Sequence, residues 1–206
     1  QDGTKNRKLV FSGDIGQPGR PLVRDPTAVT DADVLVVEST YGNRRHKSLD
    51  DTLAELEHAI TDTLVRKKGN VIIPAFAVGR TQEIIYLLVE MYRRGRLPEM
   101  DIYVDSPMAT KATEITAKHW ALLDQDAATL LQWLKGGRGK PRIHFVQDLL
   151  ESTNLQRIKH GAVIISASGM CNAGRIKHHL RHNLGRKASS ILIVGFQAAG
   201  TLGRRI

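Results

Sequence analysis

Asn70-Val71-Ile72-Ile73-Pro74-Ala75-Phe76-Ala77-Val78-Gly79-Arg80-Thr81 passes from an almost continuously apolar run, through a short loop, into a segment with helical spacing. Val71 to Ile73 are β-branched, and a run without polar alternation is that of a strand buried on both faces. Arg80 to Arg93 then carries Ile84, Leu87, Leu88 and Met91 at helical spacing. A doubly buried strand feeding an amphipathic helix is the repeating unit of a parallel sheet covered by helices.

The unit recurs in both directions along the chain. Further strands are expected at Lys8 to Ser12, Val34 to Glu38, Asp101 to Val104, Arg142 to Val146, Ala162 to Ser166 and Ser190 to Gly195. Helices are expected at Asp50 to Lys68, Met108 to His119, Ala121 to Lys135, Leu149 to Lys159 and Ala173 to Leu184. The first of these opens with acidic residues and closes with basic ones, which suits the helix dipole. The alternation predicts an α/β fold with a doubly wound, mainly parallel sheet flanked by helices. Gly136-Gly137-Arg138-Gly139-Lys140 reads as a flexible basic turn within a domain, and there is neither an internal repeat nor a low-complexity segment.

The 206 residues allow one sizeable domain or two small ones. Thirty Lys and Arg against twenty-one Asp and Glu give a formal charge of +9. Such a surplus favours polyanionic partners, most simply nucleic acid, although net charge says nothing of clustering and a merely basic surface is the other reading. Cys171 is the only cysteine, which excludes an internal disulfide and a Cys-rich zinc ribbon. A reducing, cytoplasmic setting is the expectation. No apolar run reaches membrane-spanning length, so no membrane partner is expected. The first residues, Gln1-Asp2-Gly3-Thr4-Lys5-Asn6, do not resemble a signal peptide and do not begin with Met, so a fragment or processed product is expected.

In an open α/β sheet, ligands bind beyond the C-terminal ends of the strands. The segments there are rich in Gly, Ser, Thr and Arg. Gly79-Arg80-Thr81 lies where a loop hands over to a helix, whose free amides can bind phosphate with help from Arg80 and Thr81. A helix cap with an exposed Arg is the alternative, and the Gly-x-x-x-x-Gly-Lys pattern of a P-loop is missing. Ala167-Ser168-Gly169-Met170-Cys171-Asn172-Ala173-Gly174-Arg175 repeats the arrangement after another strand. Lys177, His178, His179, Arg181 and His182 follow, either a basic helix facing RNA or a solvated helix face; the adjacent His178 and His179 are read as surface or RNA-facing residues. Asp14, between Gly13 and Gly16, is either turn chemistry or a metal ligand. Glu38 closes an apolar strand, where a carboxylate needs the sheet edge or a donor. The eight histidines form neither His-x-His-x-Asp-His nor His-Glu-x-x-His. A nucleotide-binding enzyme would need a Gly-x-Gly-x-x-Gly turn or a P-loop, and neither is present.

Six segments together resemble a known family. Phe11-Ser12-Gly13-Asp14-Ile15-Gly16 is similar to the segment of metallo-β-lactamase-fold nucleases whose Asp bridges two zinc ions. Glu38-Ser39-Thr40-Tyr41-Gly42 resembles the acidic motif opening the β-CASP insertion. Pro74 to Glu83, Val104 to Ala109, Ser166 to Met170 and Gly200 to Arg204 resemble β-CASP motifs in family order. The resemblance covers the chain from about Leu9 onward and is to the RNA-processing β-CASP nucleases, including RNase J and the polyadenylation-factor nuclease, with the ending most similar to prokaryotic members.

The resemblance implies a short piece of the metallo-β-lactamase core over residues 1–45, from its C-terminal side, and a β-CASP domain over residues 46–206. It implies a zinc-dependent ribonuclease that holds single-stranded RNA in a cleft, with two zinc ions polarising the scissile phosphate. By the same resemblance Asp14 would be the bridging metal ligand, and Glu38 would orient an active-site histidine. Arg80, Thr81, Ser106, Ser168, Gly169 and Arg175 would hold the RNA backbone. The family holds both endo- and exonucleases, and the wider group includes enzymes that act on DNA. The histidine motifs that supply most zinc ligands are absent here, so this polypeptide alone is expected neither to bind the zinc pair nor to cut RNA, the remainder of the lactamase domain being its missing partner. The alternative is a stand-alone RNA-binding module.

Overall fold

The computed structural model describes residues 6–136 and 139–206, so the Gly136–Lys140 turn lies in part, at 137–138, outside the described residues. Its strands are β1 (Leu9–Phe11), β2 (Val34–Val36), β3 (Val71–Pro74), β4 (Asp101–Asp105), β5 (Arg142–Phe145), β6 (Ala162–Ser166) and β7 (Ser190–Ile191). Its α-helices are α1 (Leu49–Thr61), α2 (Arg80–Arg93), α3 (Pro107–Lys118), α4 (Gln125–Gly136), α5 (Leu149–Leu155), α6 (Ile176–Asn183) and α7 (Leu202–Arg205). Among the described residues no helix is long and apolar enough to cross a membrane.

Strands β3 to β7 form one parallel sheet in the order β5-β4-β6-β3-β7. The central strands β3 and β6 are buried at every position. Val71, Ile73, Ile102, Val104, Val163 and Ile165 face a core completed by α1, α2, α3 and α4. Ile72, Ala162 and Ile164 face the opposite core, against Leu155 of α5 and Ile176 and Leu180 of α6. The two-residue periodicity of a strand makes this division. The topology explains which helix lies where: connections from β3 to β4 and β4 to β5 run one way across the sheet, and those from β5 to β6 and β6 to β7 run back. Right-handed crossovers then put the two sets of helices on opposite faces. The doubly wound parallel sheet is the expected fold class.

Strands β1 and β2 pair in parallel as a separate two-stranded ribbon, with Leu9 opposite Val34 and Phe11 opposite Val36. Leu9, Phe11, Val34, Leu35, Val36 and Val37 are all exposed. The segment after β1 reaches the helical layer instead. Val23 bridges Leu123, the Leu22 amide donates to Asp124 Oδ2 (2.7 Å), and Arg24 donates to the Ala121 carbonyl (3.0 Å). Leu22 thereby lines an apolar pocket of about 70 Å³ between α2, α3 and α4.

Several ends differ from the sequence reading. α1 passes into a π-helical turn at Asp62–Arg66, where Asp62 pairs with Arg66 and Lys67. β7 is shorter than Ser190 to Gly195, because pairing with β3 ends after Leu192 donates to the Ile72 carbonyl (2.9 Å). α6 starts at Ile176 rather than Ala173, the preceding residues forming an irregular loop. α7 is additional, and is capped by Thr201, whose hydroxyl accepts from the Arg204 amide (3.3 Å).

Candidate functional site

The register aligns the ends of three strands: Pro74 and Asp105 both lie opposite Ser166. The loops that follow therefore leave the sheet at one level, where helices depart to opposite faces. Two bonds lock this edge. The Ala75 amide donates to the Ser166 carbonyl (3.0 Å), and the Ser166 hydroxyl donates to the Asp105 carbonyl (2.9 Å).

Asp105 is the hub beneath the loops, with no solvent exposure. Its Oδ2 accepts from the Ser152 hydroxyl of α5 (2.6 Å) and lies 2.6 Å from His179 Nε2 of α6. Its Oδ1 accepts from Arg175 (2.8 Å), which also donates to the carbonyls of Val146 (3.3 Å) and Gln147 (2.8 Å). Burial pushes the Asp105 carboxyl up, but hydrogen bonds from His179, Ser152 and Arg175 outweigh that and hold it below the usual aspartate range. Arg175 thus staples β4, the loop after β5 and the 167–175 loop together. Most of its guanidinium is engaged within the fold, and its side chain is 16% exposed.

The 167–175 loop is fixed on both sides. Ser168 accepts from the Ala173 amide (3.4 Å) and lies 3.2 Å from its carbonyl. Gly169 packs so closely on the 75–79 loop that a Cβ there would lie 2.9 Å from the Phe76 ring and 3.0 Å from the Phe76 nitrogen. Gln197 donates to the Gly169 carbonyl (2.9 Å), Gly203 to the Met170 carbonyl (3.1 Å), and the Leu202 amide to Asn172 Oδ1 (2.8 Å). Gly174, at φ +80°, could take no side chain, since a Cβ would lie 2.3 Å from the Ala167 carbonyl oxygen.

The facing loop, 75–81, leads into α2. Gly79 adopts φ +81°, and its amide donates to Gln82 Oε1 (2.7 Å), closing the helix start. Thr81 is buried and its hydroxyl donates to the Phe76 carbonyl (2.8 Å), so that hydroxyl faces inward rather than toward a ligand. Ser106 is also buried and caps α3, accepting from the Ala109 amide (3.3 Å). Arg80 stands at the rim, 36% exposed, and pairs with Glu83. The structure therefore brings Arg80, Ser168, Gly169 and Arg175 to two adjoining loops, while the hydroxyls of Thr81 and Ser106 belong to the scaffold.

His178 is exposed as read, but His179 is 1% exposed, correcting its reading as a surface residue. It shares a helix face with Ile176, Leu180 and Asn183, and that spacing was the available signal. Asp105, Ser152 and Gln197 were also missed as members of this site. Asp105 and Arg175 meet only through the sheet topology.

Asp14 is exposed in the turn after β1. Glu38 holds that turn: its Oε1 accepts from the Ile15 amide (3.1 Å), its Oε2 from the Thr40 amide (3.4 Å), and its own amide donates to the Ser12 hydroxyl (3.2 Å). Hydrogen bonds from the Thr40 side chain, the Ile15 amide and the Thr40 amide keep its carboxyl below the usual glutamate range. Tyr41 then meets Phe196 edge-to-face at 5.8 Å, which joins this segment to the one that clamps the 167–175 loop. Among the described residues no group of three or more His, Cys, Asp or Glu is placed to hold a metal ion. A zinc ion needs about three protein ligands, so the donor set among the described residues, with Asp14 alone, does not fit one.

A model of the Beta-Casp domain family matches residues 81–206. The chain is 34% identical over 203 residues to a ribonuclease of Thermus thermophilus, covering 98% of this chain and 46% of that protein. It is 32% identical over 212 residues to transcription termination factor FttA of Methanosarcina mazei, covering 100% of this chain and 32% of that protein. It is 31% identical over 206 residues to an RNase J-like protein of Methanocaldococcus jannaschii, covering 97% of this chain and 46% of that protein. The chain thus spans less than half the length of these relatives.

Proposed function

This chain belongs to the β-CASP domain family, and we propose that it is the RNA-holding part of an RNA-processing ribonuclease, a phosphodiester hydrolase. Residues 46–206 are the β-CASP unit in this reading, and residues 1–45 belong to a metallo-β-lactamase-type core. The observation that carries it is the pair of facing loops, 75–81 and 167–175, fixed at the strand ends over the Asp105 hub. Arg80 offers a cation and Ser168 a half-buried hydroxyl, while Gly169, buried against Phe76, sets how closely the two loops approach; a cation and a hydroxyl suit a phosphate with no demand on base identity. Single-stranded RNA is the substrate in this reading, and the setting is cytoplasmic.

The zinc pair of the complete enzyme would take its ligands mostly from residues other than those of this chain. Asp14 would contribute one carboxylate, on a turn held by Glu38 through the Ile15 amide. The chain alone then binds RNA without cutting it, and chelator-sensitive ribonuclease activity of the purified chain that Asp14→Ala abolishes would overturn this.

The direct test is fluorescence anisotropy with a labelled single-stranded RNA at two salt concentrations, for the wild-type chain and Arg80→Ala. Salt-sensitive binding weakened by the substitution is expected. Binding indifferent to Arg80 would refute the placement of RNA at the strand ends.

A further inference from the structure

The surplus of positive charge is confined to one part of the chain. All twenty-one Asp and Glu lie at or before Glu151, together with twenty-one of the thirty Lys and Arg, so residues 1–151 are formally neutral. The last 55 residues contain no carboxylate side chain and carry the whole +9.

Ion pairing follows the same division. In the first part Arg66 and Lys67 meet Asp62, Arg93 and Arg94 meet Glu90, Arg96 meets Glu57, and Arg142 meets Asp101. Surfaces that serve only solubility intersperse both signs in this way. In the second part, among the described residues, only Arg175 and His179 have a carboxylate partner, and both use the buried Asp105.

α6 concentrates the unpaired charge. Ile176, His179, Leu180 and Asn183 face the core, leaving Lys177, His178, Arg181 and His182 exposed on the outer face. Lys177 and Arg181 are one turn apart, and so are His178 and His182. His182 Nδ1 lies 2.8 Å from the His178 carbonyl oxygen, which fixes its ring along the face. Beyond the helix, Arg186 and Lys187 continue the series, and Lys187 is exposed. The helix begins directly after Arg175, at the strand-end loops, so this face is continuous with them.

We infer that the outer face of α6 and the turn after it form a second anion-binding surface, a track for the phosphate backbone of single-stranded RNA leaving the strand-end loops. This rests on the RNA-holding reading given above. Residues 173–189 contain no Phe, Tyr or Trp, so the face lacks the aromatic anchors on which protein partners depend. A row of unpaired cations matches a phosphate chain instead.

The test uses the 206-residue chain and a fluorescent oligouridylate, titrated across a salt series, with the variant Lys177→Gln/Arg181→Gln/Lys187→Gln and with Arg80→Ala. Each phosphate of a single strand that the protein ceases to neutralise lowers the log–log salt slope by about 0.7, so the triple variant is expected to lose about 2 from the slope and to bind roughly fifty-fold more weakly at ~0.15 M salt. An unchanged slope in the triple variant, with Arg80→Ala still weakening binding, overturns the track and leaves the strand-end site standing. The reverse pattern supports the track and overturns the strand-end placement. Failure of the wild-type chain to bind RNA at low salt overturns both. Polyglutamate competing as well as RNA at equal charge overturns the RNA assignment in favour of an acidic protein partner. Lys177, Arg181 and Lys187 are exposed and Arg80 is half-buried, and circular dichroism checks that each variant is folded.

Discussion

Replacing Asp105 by alanine removes the carboxylate that pairs with both Arg175 and His179. The Arg175 side chain is 16% exposed and that of His179 is 1% exposed, so neither recovers its full hydration when the partner goes. Arg175 keeps the Val146 and Gln147 carbonyls, but the Ser152 hydroxyl loses its acceptor. Breaking a buried pair by removing one partner costs about 3–5 kcal/mol, and the residual exposure of Arg175 places this case near the lower end, at ~3 kcal/mol. With a urea m-value of about 2 kcal/mol/M, the unfolding midpoint falls by roughly 1.5 M. The double variant Asp105→Ala/Arg175→Met is then less damaging than the sum of its singles by about 2 kcal/mol, because the second substitution removes the stranded charge. Glu90→Ala, which breaks ion pairs to the exposed Arg93 and Arg94, is the comparison and costs below about 1 kcal/mol. An Asp105→Ala variant within ~0.5 kcal/mol of wild type, or strictly additive double-variant data, would refute the hub.

Gly169→Ala forces a methyl group against the Phe76 ring and backbone; a loss of about 1–3 kcal/mol in thermal unfolding is expected, together with weaker RNA binding, and an unchanged melting temperature would count against the close packing of the two loops. The Glu38 carboxyl is depressed by its hydrogen bonds, so the turn at Asp14 is held above the ordinary glutamate range and released as pH falls through the lowered folded value. An NMR titration of the Ile15 amide should show a midpoint below 4.5, and a midpoint at or above it would mean that Glu38 does not hold the turn. The same sign holds for Asp105: its contribution to stability is present above the unfolded aspartate pKa and is lost as pH drops through the lower folded one, so acid unfolding of Asp105→Ala should be shallower than that of wild type.

The strands and most helices were legible because burial and periodicity are local properties of the chain. Val71 to Ile73 and Ala162 to Ser166 announce a doubly covered sheet without reference to any distant residue. Strand order is different, since nothing in the sequence of β6 states that it lies between β4 and β3. That order brings Arg175 to Asp105 across 70 residues and Ser152 to Asp105 across 47, which is why the clamp that Arg175 forms within the fold was not legible in the sequence. Thr81 and Ser106 show a second limit. A hydroxyl at a helix start can serve a ligand or the helix itself, and only burial decides between them. Glu38 stands between these cases: its need for donors was evident, but the Ile15 amide as donor depends on the pairing of β1 with β2.

The β1–β2 ribbon governs how the polypeptide behaves among its own copies. Two short parallel strands that, with the adjoining Val37, hold six apolar side chains in solvent form a strip whose edges accept another strand and whose faces attract other apolar surfaces. The repulsion that keeps like molecules apart arises from the last 55 residues, a different part of the sequence, and salt weakens it without weakening the strip. Colloidal stability should therefore fall as ionic strength rises, and polar substitutions confined to Phe11 and Leu35 should restore it without changing either the net charge or the five-stranded sheet.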